Sequence, residues 1–266
     1  ALWWAVFSLF TLFWVPEARR AKPGQKTAAI PAGFRQLLST FRKVRHLRWV
    51  FLFLLAYFFY MDGVSTIIRM AVDYGLSLGF GKKELILALL IVQFVGFPAA
   101  LAFGRFSRIV GARRAICLAI LVYIGITLGG TMMHSVQDFY LLAAMIGLVQ
   151  GGIQALSRSY YSRLIPWDSS GEFYGFFNML GKFAAILGPA LMGGVGLMVR
   201  QLLMPSSPSE QELIEIGQLA ARWSLGSVVL LFLIGGAFFF FVDEEKGREQ
   251  VAYLSAGKEA AGKEAS

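Results

Sequence analysis

Residues 49–70 read WVFLFLLAYFFYMDGVSTIIRM, and only Asp62 and Arg69 carry a charge within this stretch. A helix rises 1.5 Å per residue, so about 20 apolar residues are enough to cross the ~30 Å hydrocarbon core of a bilayer. A strand of a membrane barrel would instead alternate apolar and polar residues over about ten positions. Because a lipid-embedded backbone must also satisfy its own hydrogen bonds, the stretch predicts a transmembrane α-helix.

The rest of the chain has the same apolar character. Of 266 residues, 57% are hydrophobic and 15% are charged, whereas an ordinary globular domain has about 25% charged residues. This composition excludes a water-soluble enzyme, a secreted disulfide scaffold and a disordered protein. The further long apolar segments are 85–103, 115–133, 139–157, 174–199 and 223–242. We therefore predict an all-α membrane protein with six transmembrane helices plus a partial one at its start.

Both ends of the chain differ from the six complete segments. Residues 1–15 are apolar but too short to cross a bilayer, and no basic region precedes them as in a signal peptide. We interpret them as the end of a truncated transmembrane helix, which predicts that the sequence is a fragment of a longer protein. Residues 243–266 are polar and repeat the residues AGKEA at 256–260 and 261–265, which predicts a disordered cytoplasmic tail.

Basic residues alternate between the two sides of the predicted membrane. Residues 16–48 contain nine Lys or Arg against one acid, and 104–114 contains four Arg and no acid. By contrast, 134–138 contains no Lys or Arg, and 200–222 contains three Glu against two Arg. Basic loops are retained in the cytoplasm. The pattern therefore places the loops that start at residues 16, 104 and 158, together with the tail, in the cytoplasm.

The basic segment 16–48 also contains an amphipathic pattern. Its apolar residues recur at helical spacing with basic residues on the other faces, and they are Phe34, Leu37, Leu38, Phe41 and Val44. Such a helix binds the anionic inner surface of a membrane, so we predict a basic cytoplasmic central loop that contacts the lipid bilayer. Nucleic-acid binding is the less favoured interpretation, because basic segments beside a membrane commonly bind lipid. No nucleic-acid partner is predicted.

Four short stretches, taken in order, are similar to one known family. They are YMDGVSTII at 60–68, GGIQALSRSY at 151–160, EFYGFFN at 172–178 and GKFAAILGP at 181–189. From 49 to 242 the chain resembles the C-terminal half of the vacuole effluxer-like (autophagy-related) permeases of the major facilitator superfamily. The resemblance implies a missing N-terminal six-helix half. It also fits two inverted three-helix repeats in this half, 49–133 and 139–242.

The resemblance implies a transporter and not an enzyme. Fungal members are associated with export of amino acids from the vacuole, so the expected location is the vacuolar membrane in a fungus and the inner membrane in a bacterium. We expect alternating access for a small polar solute, with an amino acid favoured and protons as the candidate coupling ion. A carrier for sugars, peptides or cell-wall fragments stays open, as does a non-transporting receptor or scaffold. No metal or cofactor is expected, since His46 and His134 fall on opposite membrane sides.

The loop after the second span is similar to a short cytoplasmic signature of the superfamily. The glycines and basic residues that match it are Gly104, Arg105, Gly111, Arg113 and Arg114. Where the signature has its aspartate, this sequence has Arg108, and Ile109 occupies the adjacent arginine position. We therefore expect a glycine-permitted tight turn with cytoplasmic positive charge, but no acid–base latch within this loop.

Asp62 is the first candidate for handling a solute. It lies near the middle of its span, where a charged side chain is expensive and normally functional. Gly63 follows it and weakens the helix by about 1 kcal/mol relative to alanine. Arg69 lies seven residues later, on the same helix face. The hypothesis is that Asp62 binds a substrate ammonium or carries a coupling proton, and the alternative is a structural ion pair or a helix cap.

Two further helices carry polar residues at four-residue spacing. Gln150 and Gln154 share a stripe with Arg158, and amides there could bind a zwitterionic solute or hold two helices together. Asn178 and Lys182 form a second pair, in which Lys182 could meet a carboxylate or extend towards the cytoplasmic surface. The predicted substrate or coupling site consists of Gln150, Gln154, Asn178 and Lys182, together with Asp62 and Arg69.

Overall fold

The computed structural model describes residues 7–9, 14, 29–205 and 207–252. The chain divides into two compact units, Ala1–Leu38 and Ser39–Ser266, and the second contains the helical bundle. Most of the predicted partial helix at 1–15 lies outside the described residues, and so does the repeated segment at 256–265. The fold below is therefore that of the second unit, together with the helix that enters it.

The described chain is built from helices joined by short connections. In chain order they are α1 Ala29–His46, α2 Arg48–Ser77, α3 Lys82–Val110, α4 Ala112–Met132, α5 Val136–Ser162, α6 Ser170–Phe183, α7 Leu187–Leu203, α8 Glu210–Ser227 and α9 Val229–Phe240, with a 3-10 turn at Trp167–Ser169. A further helical segment covers residues 244–252. Throughout this part of the chain there is no β-strand, so the all-α prediction is confirmed.

Six helical stretches are long and apolar enough to cross a membrane. They are Arg48–Ser77, Lys82–Val110, Ala112–Met132, Val136–Ser162, Trp167–Leu203 and Glu210–Phe240. The predicted number of spans is confirmed for the described residues. Most of the predicted segments were too short, because their helices continue into the polar residues on either side. α3, for example, starts at Lys82 and not at 85, and it ends at Val110 and not at 103.

The fifth and sixth spans are each made of two helices. α6 ends at Phe183 and α7 starts at Leu187, so the fifth span is interrupted inside its length. Pro189 then occupies the first turn of α7, where a missing N–H leaves no intrahelical bond unmade. The sixth span bends at Val228, between α8 and α9. The fifth-span interruption matters most, because it creates a helix N-terminus within the bundle.

Small residues let α3 and α5 approach closely. A Cβ atom built on Gly147 of α5 would lie 2.9 Å from the backbone oxygen of Val92, and one on Gly151 would lie 2.9 Å from the Cβ of Ala100. Close backbone approach through small residues is typical of helix pairs in membranes. Gly235 plays the same role between α9 and α2, where an added Cβ would lie 2.6 Å from the Tyr60 nitrogen.

α2 is the central helix, and its N-terminal half is packed with aromatic rings. The ring of Phe53 lies 5.3 Å from that of Tyr160 and 5.8 Å from that of Tyr161, both on α5. Tyr57 stacks at 4.2 Å on Phe177 of α6. These rings join α2, α5 and α6 at one end of the bundle.

The end of α1 packs on this aromatic region. Val44 is fully buried, the ring of Phe41 lies 6.1 Å from that of Phe176, and Lys43 pairs with Glu172 at 2.8 Å. The sequence predicted that Val44 faces lipid. In the structure it faces protein, because the chain turns at Leu47 directly into α2 and brings the end of α1 against α6.

The predicted disordered tail needs a correction at its start. Residues 244–252 are helical, and the Asp243 carboxylate accepts hydrogen bonds from the backbone N–H groups of Glu245 at 3.1 Å and Lys246 at 3.2 Å. The Lys246 N–H bond, aided by the nearby ammonium, holds the pKa of Asp243 below its ordinary value. The low-complexity repeat that suggested disorder begins only at 256, so composition averaged over the whole tail hid a capped helix.

Candidate functional site

Asp62 is fully buried in the bundle and holds the N-terminus of α7. The backbone N–H of Gly188 donates to both carboxylate oxygens at 3.1 Å. The hydroxyl of Thr66, one turn along α2, donates to Oδ1 at 3.4 Å. A helix N-terminus carries unpaired N–H groups and a partial positive charge, and a carboxylate satisfies both. Asp62 therefore acts as a cap supplied by one helix to another.

Gly188 is required by this contact. An added Cβ would overlap the side chain of Thr66, whose Cβ would lie 2.7 Å away. Any larger residue would push α7 away from α2 and separate the carboxylate from the N–H that it accepts. The predicted weak point beside Asp62, Gly63, has a different neighbour, since its added Cβ would lie 2.8 Å from the Phe232 ring of α9.

Asp62 and Arg69 do not pair in the structure. Arg69 is exposed, whereas Asp62 is buried. No salt bridge joins them within the described ranges, 29–205 and 207–252. Seven residues correspond to about 10 Å along a helix, so sharing a face does not bring the two charges together. Of the alternatives drawn from the sequence, the structure corresponds to the helix cap.

The other predicted residues lie on the surface of the bundle. Gln154 and Arg158 of α5 are exposed, as are Asn178 and Lys182 of α6, while Gln150 is half-buried. α5 ends and α6 begins at the same end of the bundle, so the two helices run in opposite directions. Each therefore carries a polar stripe with a spacing of four residues.

The two polar stripes meet where α5 ends and α6 begins. The guanidinium carbon of Arg158 lies 5.4 Å from the centre of the Tyr174 ring, a cation–π distance, and the Tyr174 hydroxyl donates to the Arg158 carbonyl at 3.5 Å. From this contact, Gln154 and Asn178 lie one helical turn further out, and Gln150 and Lys182 two turns. We call these six residues the polar surface.

Tyr57 of α2 lies beside the polar surface. Its ring stacks on Phe177, next to Asn178, and its hydroxyl oxygen would lie 3.1 Å from a Cβ built on Gly181. Sequence reasoning missed both Tyr57 and Tyr174, since tyrosines in apolar runs are usually packing residues. A signal was present for Tyr174, which precedes Asn178 by four residues and so continues the same stripe.

The cytoplasmic turn joins α3 to α4 through Gly111, whose φ of +89° is in the region that favours glycine. Arg113 donates to the Phe240 carbonyl at 2.6 Å, whereas Arg105 and Arg114 are exposed, and the Gly104 carbonyl accepts from Ser107 at 2.9 Å.

An acid of the C-terminal segment, Glu244, lies close to the turn. Glu244 pairs with Arg163 at 3.2 Å and with Arg248 at 2.7 Å, and it lines a shared cavity with Arg113. Charged residues from three parts of the chain therefore lie together at one end of the bundle. Sequence reasoning looked for an acid only within the turn itself.

These features define an all-α integral membrane protein of the major facilitator type, with one buried acid and a polar surface that crosses two helices. The chain belongs to the family described as vacuole effluxer Atg22-like, which matches residues 1–200. The family resemblance predicted from the four short stretches is confirmed.

Curated relatives agree with this assignment. Over 245 residues the chain is 35% identical to an uncharacterized MFS-type transporter, YxiO, of Bacillus subtilis (strain 168), covering 92% of the chain and 52% of that protein. It is 27% identical to autophagy-related protein 22-1 of Aspergillus fumigatus, with 72% and 36% covered, and 25% identical to autophagy-related protein 22 of Yarrowia lipolytica, with 97% and 46% covered. The chain thus spans about half the length of these relatives, or less. No solved structure matches it.

The cap on α7 predicts a stability difference between two acid-to-alanine variants. Replacement Asp62→Ala leaves the Gly188 N–H unpaired inside the bundle, which destabilises the fold by about 2 kcal/mol. Asp168→Ala removes an exposed acid with no hydrogen bond in the described chain and leaves stability unchanged. The thermal unfolding midpoint of the full-length protein in detergent measures both. Equal midpoints for the two variants would contradict the capping role.

Proposed function

We propose that this chain forms the C-terminal six-helix half of a secondary transporter, which moves a small polar solute across a membrane by alternating access. The observation that supports it is the exposed polar surface on helices otherwise apolar enough to span lipid. Polar side chains in a bilayer face a cavity or a partner. The complete protein would supply six further helices, and the solute would pass between the two halves.

An amino acid is the solute that the polar surface fits best. Arg158 and Lys182 lie about two helical turns apart, so either of them, but not both together, offers a cation for the carboxylate. Gln154 and Asn178 offer amides that both donate and accept hydrogen bonds. The half-buried ring of Tyr174 beside Arg158 adds a π-face that an ammonium can contact. A neutral sugar would use the amides but neither cation, so it is the less favoured solute. The family name, vacuole effluxer, supports export as the direction.

Asp62 is the residue that we propose for proton coupling. Its ionised carboxylate binds the N–H of Gly188 at the start of α7, so protonation would remove the negative charge from that helix end. The contact between α2 and α7 would weaken, and α7 could shift relative to α2. A proton would thus change the relative position of two helices without touching the solute.

Transport by the full-length protein in proteoliposomes tests the role of the polar surface. Replacing the cation that binds the solute carboxylate with Gln removes a charge-assisted hydrogen bond worth about 1.5–3 kcal/mol. We therefore expect Arg158→Gln or Lys182→Gln, but not both, to raise KM for amino acids by about tenfold or more. Lys83→Gln, a neutralised exposed lysine at the start of α3, is the matched control and leaves KM unchanged. Absence of flux for any solute would instead favour a receptor or scaffold.

The coupling role of Asp62 is tested with Asp62→Asn. The amide oxygen can still accept the Gly188 N–H, so the variant keeps the cap but cannot lose or gain a proton in the physiological range. We expect uptake driven by an imposed proton gradient to disappear, while exchange of labelled for unlabelled solute continues. A variant that still accumulates solute in response to the gradient would exclude Asp62 as the coupling group.

A further inference from the structure

A groove opens at the opposite end of the bundle from the polar contact of Arg158 and Tyr174. It has a volume of about 330 Å³ and lies between the last turns of α2 and α7, with α8 behind them. The alternation of basic loops places this end on the non-cytoplasmic side of the membrane. Two glycines of α7, Gly193 and Gly196, lie along it, and a Cβ built on Gly193 would meet no atom within 4 Å. The groove therefore has its volume because these two residues of α7 have no side chains.

The groove carries one acid and one base, on different helices. Asp73 extends from α2 and Arg200 from α7, and both are exposed. No ion pair or hydrogen bond joins them to each other or to another side chain within residues 29–205 and 207–252. Arg69, one turn before Asp73, does not line the groove and does not pair with it.

Two of the other polar side chains that line the groove form hydrogen bonds within the bundle. The Tyr74 hydroxyl donates to the Gly130 carbonyl at 2.6 Å, and the Ser77 hydroxyl donates to the Tyr74 carbonyl at 2.7 Å. The rest of the wall is apolar and includes Met70, Met192 and Leu197. Two unpaired opposite charges at the rim of an apolar cavity match a ligand that has both charges and an apolar part.

We propose that this groove is a second binding site, for zwitterionic amino acids with an apolar side chain, on the non-cytoplasmic face. Asp73 receives the ammonium group, Arg200 receives the carboxylate, and the side chain lies against the methionines of the groove. A volume of this size is in the range of small-molecule sites. The proposal rests on the proposed function for the choice of amino acids as ligands, and its evidence is a different set of residues from the polar surface.

The same helix connects this groove to the buried acid. α7 begins at the carboxylate of Asp62 and ends three residues after Arg200. A shift of α7 that follows release of its cap would therefore move Arg200 relative to Asp73. The outer site would then bind a zwitterion in one position of α7 and release it in the other.

Cysteine labelling tests the groove without requiring transport. Ser77→Cys, in a full-length protein whose native cysteines are replaced, places a thiol at the groove for reaction with a membrane-impermeant maleimide added from the non-cytoplasmic side. We expect leucine to slow labelling, and leucinamide and 4-methylpentanoate, which each lack one charge, to do so at least about tenfold less effectively. When Asp73→Asn or Arg200→Gln is added to the Ser77→Cys protein, we expect the leucine concentration that gives half-maximal protection to rise by about tenfold. Glu215→Gln, an exposed acid of α8 outside the groove, is the matched control.

The outcomes separate this site from the proposed function. Protection by leucine in a protein that shows no flux would support the groove and contradict the transport proposal. If the protein transports solute but leucine does not slow labelling, the groove is not a binding site, while the transport proposal holds. The same conclusion follows if both groove variants leave the protection by leucine unchanged. Equal protection by leucine and its two single-charge analogues would also overturn the proposed site, because the acid and the base would then play no part in recognition. Thermal midpoints of the groove variants, matched to Glu215→Gln, show that they fold.

Discussion

A polar group inside lipid must be paired by protein or reached by water, and this constraint organises the bundle. Asp62 meets it through protein, because the Gly188 N–H and the Thr66 hydroxyl bind its carboxylate. In the described chain, Gln150, Gln154, Asn178 and Lys182 of the polar stripes on α5 and α6 make no such side-chain bond to protein. Under the proposed function they meet the same constraint through water, on the face that a second half of the transporter would cover.

The interruption of the fifth span creates the helix N-terminus that Asp62 binds. An unbroken helix would leave no free N–H groups for Asp62, and the carboxylate would then be an unpaired charge in an apolar core. The break between Phe183 and Leu187 provides these donors, and Gly188 lets α7 come close enough to offer them. One helix, α7, thus depends on Asp62 at its start and carries Arg200 near its end. Under the proposed function, this connection makes the cap the control point for the groove that contains Asp73 and Arg200.

Much of the fold could be predicted from the sequence, because the length and composition of apolar runs determine which segments cross a bilayer. Residue spacing within one helix was also informative, as Gln154 with Arg158 and Asn178 with Lys182 show. Residue spacing could not predict contacts between segments that are distant in the sequence. The partner of Asp62 lies 126 residues along the chain, and the seven-residue spacing from Asp62 to Arg69 predicted only a shared helix face, with an ion pair as one alternative. The acid that joins the cytoplasmic charges, Glu244, was hidden in a tail whose average composition suggested disorder.

Measuring water access tests directly whether the polar surface faces an aqueous path or the lipid. Cysteines placed at Asn178 and Leu121, both on exposed faces of membrane-spanning helices, are treated with a hydrophilic thiol reagent while the full-length protein is in its membrane. The account requires rapid labelling at Asn178, which lines the aqueous path, and almost none at Leu121, which faces acyl chains. Labelling at Leu121 with protection at Asn178 would place the polar surface against lipid and contradict the account.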